Sequence, residues 1–139
     1  MNIEVRYFTR GGNTKKLADT IAQAAGVTAK PISTPVEIET DLLFLGASVY
    51  AAGVDAAMHA FINTLNPQLV HKVAVFSTAA IKKSAYPQVQ KLLNTKGISV
   101  LEKEFCCRGQ FAMLHRGRPN AQDLAQAFAF AKDIIEKGV

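Results

Sequence analysis

Two short runs, Leu42-Leu43-Phe44-Leu45-Gly46 and Val73-Ala74-Val75-Phe76, carry no polar side chain. A strand with one wet face alternates apolar and polar residues. An unbroken apolar strand is covered on both faces and lies near the middle of a parallel sheet. Parallel neighbours in turn require crossover connections, usually helices. The rest of the chain supplies them. Strand patterns at 3–8, 28–32, 42–47, 72–78 and 98–106 alternate with helix patterns, which predicts an α/β domain.

The helices read from their stripes and caps. Leu17, Ala18, Ile21, Ala22 and Ala25 form one stripe, stopped by Gly26. Asp55 caps a second helix with Met58, Phe61, Ile62 and Leu65 inward. Pro87 suits the first turn of a third, with Val89, Leu92 and Leu93 inward and Gly97 at its end. Asn120 caps the last, with Leu124, Phe128, Ala131 and Ile135 expected inside. The segment 33–41 holds Pro35, Glu37, Glu39 and Asp41 and is expected to form at most one helical turn. Loops are expected at 48–53, 79–85 and 108–119.

Strand chemistry orders the sheet. Glu102, Lys103 and Glu104 mark the last strand as an edge, and Lys30 and Pro31 mark the second as the other. The first strand alternates Ile3, Val5 and Tyr7 against Glu4 and Arg6, so one of its faces is expected to be poorly covered and available for self-association. The expectation is one domain over 1–139: a three-layer sandwich around a five-stranded parallel sheet, order 2-1-3-4-5, with right-handed crossovers.

Between the first strand and first helix stands Thr9-Arg10-Gly11-Gly12-Asn13-Thr14. A strand that breaks into a Gly/Thr/Asn turn and opens a helix offers backbone N–H groups, hydroxyls and the positive end of the helix dipole to a phosphate. The Walker A spacing and the dinucleotide Gly-x-Gly-x-x-Gly are both absent. An ordinary βα turn accounts for the same residues.

Composition narrows the class. Of 139 residues, 49% are hydrophobic, which excludes a disordered chain. No apolar run approaches the roughly 20 residues of a membrane helix. The opening Met-Asn-Ile-Glu-Val-Arg lacks a signal-peptide pattern. The two cysteines, Cys106 and Cys107, are adjacent, too close to bridge each other comfortably. They read as reduced thiols of a cytoplasmic protein, neither a zinc site nor a redox dithiol. His59 and His71 lack metal-ligand companions, whereas His115 lies in a basic loop that can approach a ligand.

By its turn the chain resembles the flavodoxin-like family, in particular its short single-domain members. The run 7–18 is similar to that family's phosphate-loop signature. Leu45-Gly46-Ala47-Ser48-Val49-Tyr50 looks like the flavin-contacting loop after the third strand, and Phe105-Cys106-Cys107-Arg108-Gly109 looks like the Phe-x-Cys-x-Gly after the fifth. The resemblance covers essentially the whole chain. It implies FMN held noncovalently at the carboxyl ends of the strands by Thr9, Arg10, Gly11, Gly12, Asn13 and Thr14, by Ala47, Ser48, Val49 and Tyr50, by Thr78, Ala79 and Ala80, and by Gly109. No residue is required as a catalytic acid, base or nucleophile.

The chain departs from that pattern in three places. Gly11 stands where a hydroxyl residue is usual, so Thr9 or Arg10 must compensate. There is no tryptophan, which leaves Tyr50 to stack on the ring. The second aromatic has no clean equivalent, Tyr86 being a distant candidate. The charge pattern differs too. Arg10, Lys15, Lys16, Lys82, Lys83, Arg108, His115, Arg116 and Arg118 fall in the loops at the strand carboxyl ends, against Asp55 alone, in a chain of net charge +5. A positive rim attracts anionic partners and favours a reduced, negatively charged flavin, raising its potential relative to acidic relatives.

The leading reading is thus an FMN-binding redox protein, either an electron carrier or a small oxidoreductase. Its partner is a redox protein or a small anionic or quinone-type substrate, with NAD(P)H and porphyrinogens as further reaction partners, and the chain is a monomer or weak homodimer. A second reading is a noncatalytic interaction module with weakened flavin binding. Nucleic acid is the weakest, since no dense basic tract or aromatic platform accompanies the charge.

Overall fold

The computed structural model describes residues 1–50, 53–80, 84–110 and 115–138, with Tyr50 described by its backbone alone. In chain order the elements are β1 (Ile3–Tyr7), α1 (Asn13–Ala25), β2 (Ala29–Pro31), β3 (Leu42–Tyr50), β4 (Gly53–Val54), α2 (Ala56–Thr64), β5 (Lys72–Ala79), α3 (Tyr86–Thr95), β6 (Ser99–Val100), β7 (Phe105–Arg108) and α4 (Ala121–Lys137). The sheet runs β2-β1-β3-β5, with β6 and β7 both on the outer edge of β5. All these pairings are parallel, and this is the expected 2-1-3-4-5 order. The short β4 folds back antiparallel on β3.

The unbroken apolar strands are central for the reason their composition implies. On β3, Leu43, Leu45, Ala47 and Val49 pack with Met58, Phe61 and Ile62 of α2 and Val89 and Leu93 of α3. Leu42 and Phe44 face the other way, against Leu17 and Ile21 of α1 and Phe130 and Ile134 of α4. Gly46 is required by this packing, because a Cβ there would lie 2.3 Å from the Phe76 ring.

Four expectations are corrected. The strand expected over 98–106 is two strands. Val73 pairs Val100 and Phe76 pairs Phe105, so two extra residues are looped out between β6 and β7. The looped residues are the charged ones: Lys103 reaches Asp133 of α4, and Glu104 accepts from the Ser84 hydroxyl. Within the loop expected at 48–53, β3 runs on to Tyr50 and β4 begins at Gly53, with Val49 paired to Val54; residues 51 and 52 lie outside the described residues. Gly97 ends α3 as expected: at φ 80° it follows the cap Lys96, its N–H donates to the Asn94 carbonyl at 3.0 Å, and Ile98 N–H donates to the Leu93 carbonyl at 3.0 Å.

The third concerns α4, whose buried face is Ala127, Phe130, Ala131 and Ile134, with Leu124, Phe128 and Ile135 only partly covered. The run Ala127-Phe128-Ala129-Phe130-Ala131 is apolar all round, so periodicity alone admits either phase. Phe130, edge-on to Phe44 and beside Phe105, decides it. Finally, the polar face of β1 is covered, not open. Arg6 is 2% exposed, donates to the carbonyls of Thr34 and Pro35 at 2.9 and 3.1 Å, and pairs with Glu4. The segment 33–38 does the work of a missing helix through backbone carbonyls.

The absent helix leaves one mark. An open groove of about 740 Å³ lies beside Phe8, Ile32, Pro35, Ala60 and Phe61. No helix among the described residues is long and apolar enough to cross a membrane.

Candidate functional site

The site forms where β1 ends. Phe8 N–H donates to the Gly46 carbonyl at 3.0 Å, and Ser48 Oγ donates to the Phe8 carbonyl at 3.3 Å, tying β1 to β3 as the chain turns. Gly12 N–H then donates to Thr9 Oγ1 at 2.9 Å. Gly12 stands at φ 91°, where side chains are strained, and serves as N-cap of α1 with no side-chain cap bond. The first amide to close a helical turn is Lys16, onto the Gly12 carbonyl. The amides of Asn13, Thr14 and Lys15 therefore carry no helical partner and stand at the positive end of the α1 dipole. Such a turn accepts an anion without further apparatus.

Under the turn lies a buried chain of hydroxyls. Thr14 Oγ1 is 2.6 Å from Ser48 Oγ and 2.9 Å from Thr78 Oγ1. Each hydroxyl has one proton to give. Ser48 gives its proton to the Phe8 carbonyl, so Thr14 donates to Ser48 and Thr78 donates to Thr14. This chain fastens the helix to the ends of β1, β3 and β5, and it commits all three protons. Thr9 differs. It accepts from Gly12 and still has a proton to offer the pocket.

The opposite wall follows β7. Gly109 is buried against the start of α1, where a Cβ would lie 2.9 Å from Asn13 Nδ2 and 3.1 Å from Thr78 Cβ. That contact explains the glycine four residues beyond Phe105 as a steric requirement. Asn13 Nδ2 donates to the Gln110 carbonyl at 2.8 Å, and His115 Nε2 donates to the Ala80 carbonyl at 3.0 Å. Behind the wall, Arg118 grips both carboxylate oxygens of Asp123, which completes a capping box with Asn120. The guanidinium and the Asn120 amide hold the Asp123 carboxyl below its usual range despite burial.

Between these walls is a pocket of about 320 Å³, lined by Thr9, Arg10, Gly11, Asn13, Ser48, Val49, Thr78, Ala79, Ala80, Gly109 and Gln110. Most of the sequence-predicted residues thus converge. Three do not line it. Gly12 is the cap behind the turn, Thr14 is wholly buried with its hydroxyl turned down into the chain just described, and Ala47 belongs to the core beneath α2. Gln110 was not singled out from the sequence, where only its position after Gly109 marks it. Lys82, Lys83 and the Tyr50 side chain lie outside the described residues.

Other candidates sit elsewhere. Tyr86 donates its hydroxyl to the Leu101 carbonyl at 2.9 Å, at the β6 edge away from the pocket. Cys106 and Cys107 are free thiols, one exposed and one buried. Burial, with Asp123 nearby, pushes the Cys107 thiol up to about 12, so it is no thiolate at neutral pH. His59 contacts Gln88 and His71 contacts Glu39. Among the described residues no group of three potential metal ligands assembles.

The rim is less one-sided than the sequence implies. Arg10 reaches Asp55, Lys15 reaches Asp19 and Arg118 holds Asp123. Asp55 also caps α2, accepting from Ala57 N–H at 2.8 Å. That amide first, then Arg10, lowers its carboxyl below the ordinary value.

A parallel sheet covered on both faces, with a pocket at the carboxyl ends of β1, β3 and β5 beside the amides that open α1, defines a doubly wound α/β protein. The sequence pattern of the flavodoxin domain family matches residues 5–115, and the chain belongs to that family. It is 30% identical over 138 residues to an uncharacterized protein of Methanocaldococcus jannaschii, covering 89% of this chain and 91% of that one. Its fold is similar to a flavodoxin from the domain Archaea, with a TM-score of 0.78, 20% identity and coverage of 99% and 98% of the two chains. It is also similar to Flavodoxin 2 from Bacillus cereus, with a TM-score of 0.73, 16% identity and coverage of 99% and 100%.

Proposed function

We propose that this protein binds FMN noncovalently in the pocket after β1 and serves as an electron carrier. The observation that carries this reading is the turn itself: the amides of Asn13, Thr14 and Lys15 without helical partners, the Thr9 hydroxyl with a proton to give, and Arg10 at the rim. These donors suit a phosphate monoester, and Thr9 supplies the hydroxyl that Gly11 lacks. Flavin, when bound, supplies one- and two-electron chemistry. The chain's part is to grip the phosphate and line the pocket with Val49, Ala79 and Ala80, with Tyr50 the aromatic that the sequence offers to the ring. Among the described residues that line the pocket there is no carboxylate, histidine or cysteine, which favours electron transfer over a proton-coupled reaction on a substrate.

The test is the visible spectrum of the purified protein, followed by calorimetric titration with FMN and with riboflavin. FMN is expected to bind at least tenfold more tightly, because each hydrogen bond to a charged group contributes about 1.5–3 kcal/mol. Equal affinity, or no heat with FMN, overturns the proposal. A noncatalytic module is the second reading, favoured by Gly11 and by the commitment of the Ser48 and Thr14 protons elsewhere. It predicts a colourless protein indifferent to FMN. Mixing the FMN-loaded protein with NADPH separates carrier from reductase: the carrier is not reduced directly.

A further inference from the structure

We infer that the outer edge of β7 is a self-pairing edge, at which two copies of this chain join antiparallel about Cys106. The inference stands apart from the flavin reading. Among the described residues β7 pairs with β5 alone, and no strand covers its other edge. The aim of its backbone groups follows from the register. Leu101 N–H donates to the Val73 carbonyl at 2.9 Å, so Val73 turns its backbone groups toward this side of β5. Strand residues alternate sides, so Ser77 does the same, and the residue level with Ser77 is Cys106. In a parallel ladder a residue bonds to the neighbours of the one level with it. Phe105 and Cys107 therefore bond to β5, and the N–H and C=O of Cys106 point outward. The Cys106 side chain is exposed, and an open trough of about 570 Å³ follows the strand there, bordered by Ser84, Glu104, Arg118 and Gln126. A row of outward donors and acceptors is a template for another strand. The charges that guard such an edge, Glu102 and Lys103, are looped out before β7, which itself carries Arg108 alone.

A second copy suits this edge because the strand is complementary to itself. Residues directly opposite in an antiparallel pair share a face of the sheet, so a symmetric pair centres on a residue. Centring on Cys106 sets Glu104 opposite Arg108 of the second copy, twice over, and Phe105 opposite its Cys107. The faces agree. Phe105 and Cys107 pack into the core beneath α4, whereas Glu104, which accepts from Ser84, shares the opposite face with Cys106 and Arg108. A guanidinium carries five donors, so the contacts of Arg108 with the Ala79 and Ala80 carbonyls are compatible with a carboxylate partner. Centring on Cys107 instead sets Arg108 opposite Cys106 and forfeits both ion pairs. An edge of 4 residues buries less surface than a permanent dimer needs, so the pairing is weak and concentration-dependent. Since the strands run antiparallel, the two pockets open at opposite ends of the joined sheet.

The test is sedimentation equilibrium of the full chain under reducing conditions, from about 10 μM to about 1 mM, the range of weak association. A monomer–dimer equilibrium, with amide exchange over 104–108 slowing as concentration rises, supports the edge. Glu104→Arg sets like charges opposite each other and should weaken dimerisation about tenfold, whereas Glu104→Arg combined with Arg108→Glu exchanges the charges and should restore it to within about threefold. A short bismaleimide should join parent chains through Cys106 and fail in Cys106→Ser, because Cys107 is buried; this reading needs no charge variant. A chain that stays monomeric at the highest concentration overturns the inference. So does a dimer whose 104–108 amides exchange as fast as the monomer's, or one that the charge exchange leaves as weak as Glu104→Arg. A monomer whose 104–108 amides are protected only by an added extended peptide overturns the second copy as the occupant.

Discussion

The two walls of the pocket are built differently. The turn after β1 is local: Thr9 to Lys16 hold one another through Gly12, and an amide cradle results wherever a helix starts this way. The wall after β7 is hung from distant parts of the chain, by Asn13 to Gln110, by His115 to Ala80, and by the steric fit of Gly109 on Thr78. The difference teaches that the donor set comes from nearby residues, whereas the shape of the pocket comes from long-range contacts. A local wall survives loosening of the other; a hung wall does not survive loss of its hook.

That contrast is open to direct attack. The largest effect is expected from Gly12→Val, which places a β-branched residue at φ 91°. It should cost about 3 kcal/mol in urea unfolding and abolish the FMN heat, since both walls depend on the turn. Gly109→Val pushes a side chain into Asn13 and Thr78 and should cost about 2 kcal/mol. Hydrogen exchange should quicken over 108–110 and 115–119 but not over 9–16. Quickening over both segments would break the distinction.

Thr14→Val keeps the shape and removes the central hydroxyl, leaving Thr78 without its acceptor and Ser48 without its donor. A loss of about 1.5 kcal/mol is expected by thermal unfolding. Asn120→Ala removes the cap beneath the hung wall and should cost about 1 kcal/mol, with FMN affinity nearly unchanged.

The smallest effect concerns pH. The folded Asp123 carboxyl lies below its ordinary value of 3.8. Its contribution is therefore present above that value and is lost as the pH falls through the lower folded one. Acid titration of stability should show a shallower decline in Asp123→Asn than in the parent, and parallel curves would count against the Arg118–Asp123 hook.

Much of the framework was legible because it is written in short-range terms. The residue types of Leu42–Gly46 and Val73–Phe76 demand burial on both faces, and Asp55, Gly26 and Asn120 act within a few residues of their own helices. Less legible were positions where two local solutions are equally good. The apolar run around Phe128 fits a helix in either phase until Phe44 and Phe105 select Phe130. Arg6 reads as an exposed charge until the carbonyls of Thr34 and Pro35 arrive from outside its strand.

By itself the sequence determined the alternating elements, the order of the sheet and the turn that gathers amides after β1, since caps, periodicity and glycine freedom act over a few residues. Only the tertiary structure decided that Thr14 turns its hydroxyl inward to Ser48 and Thr78, that the last strand breaks in two, and that Gln110 joins the pocket. Those outcomes depend on which distant groups meet, and a linear pattern holds no record of a contact between residues 14 and 78 until the chain has closed around them.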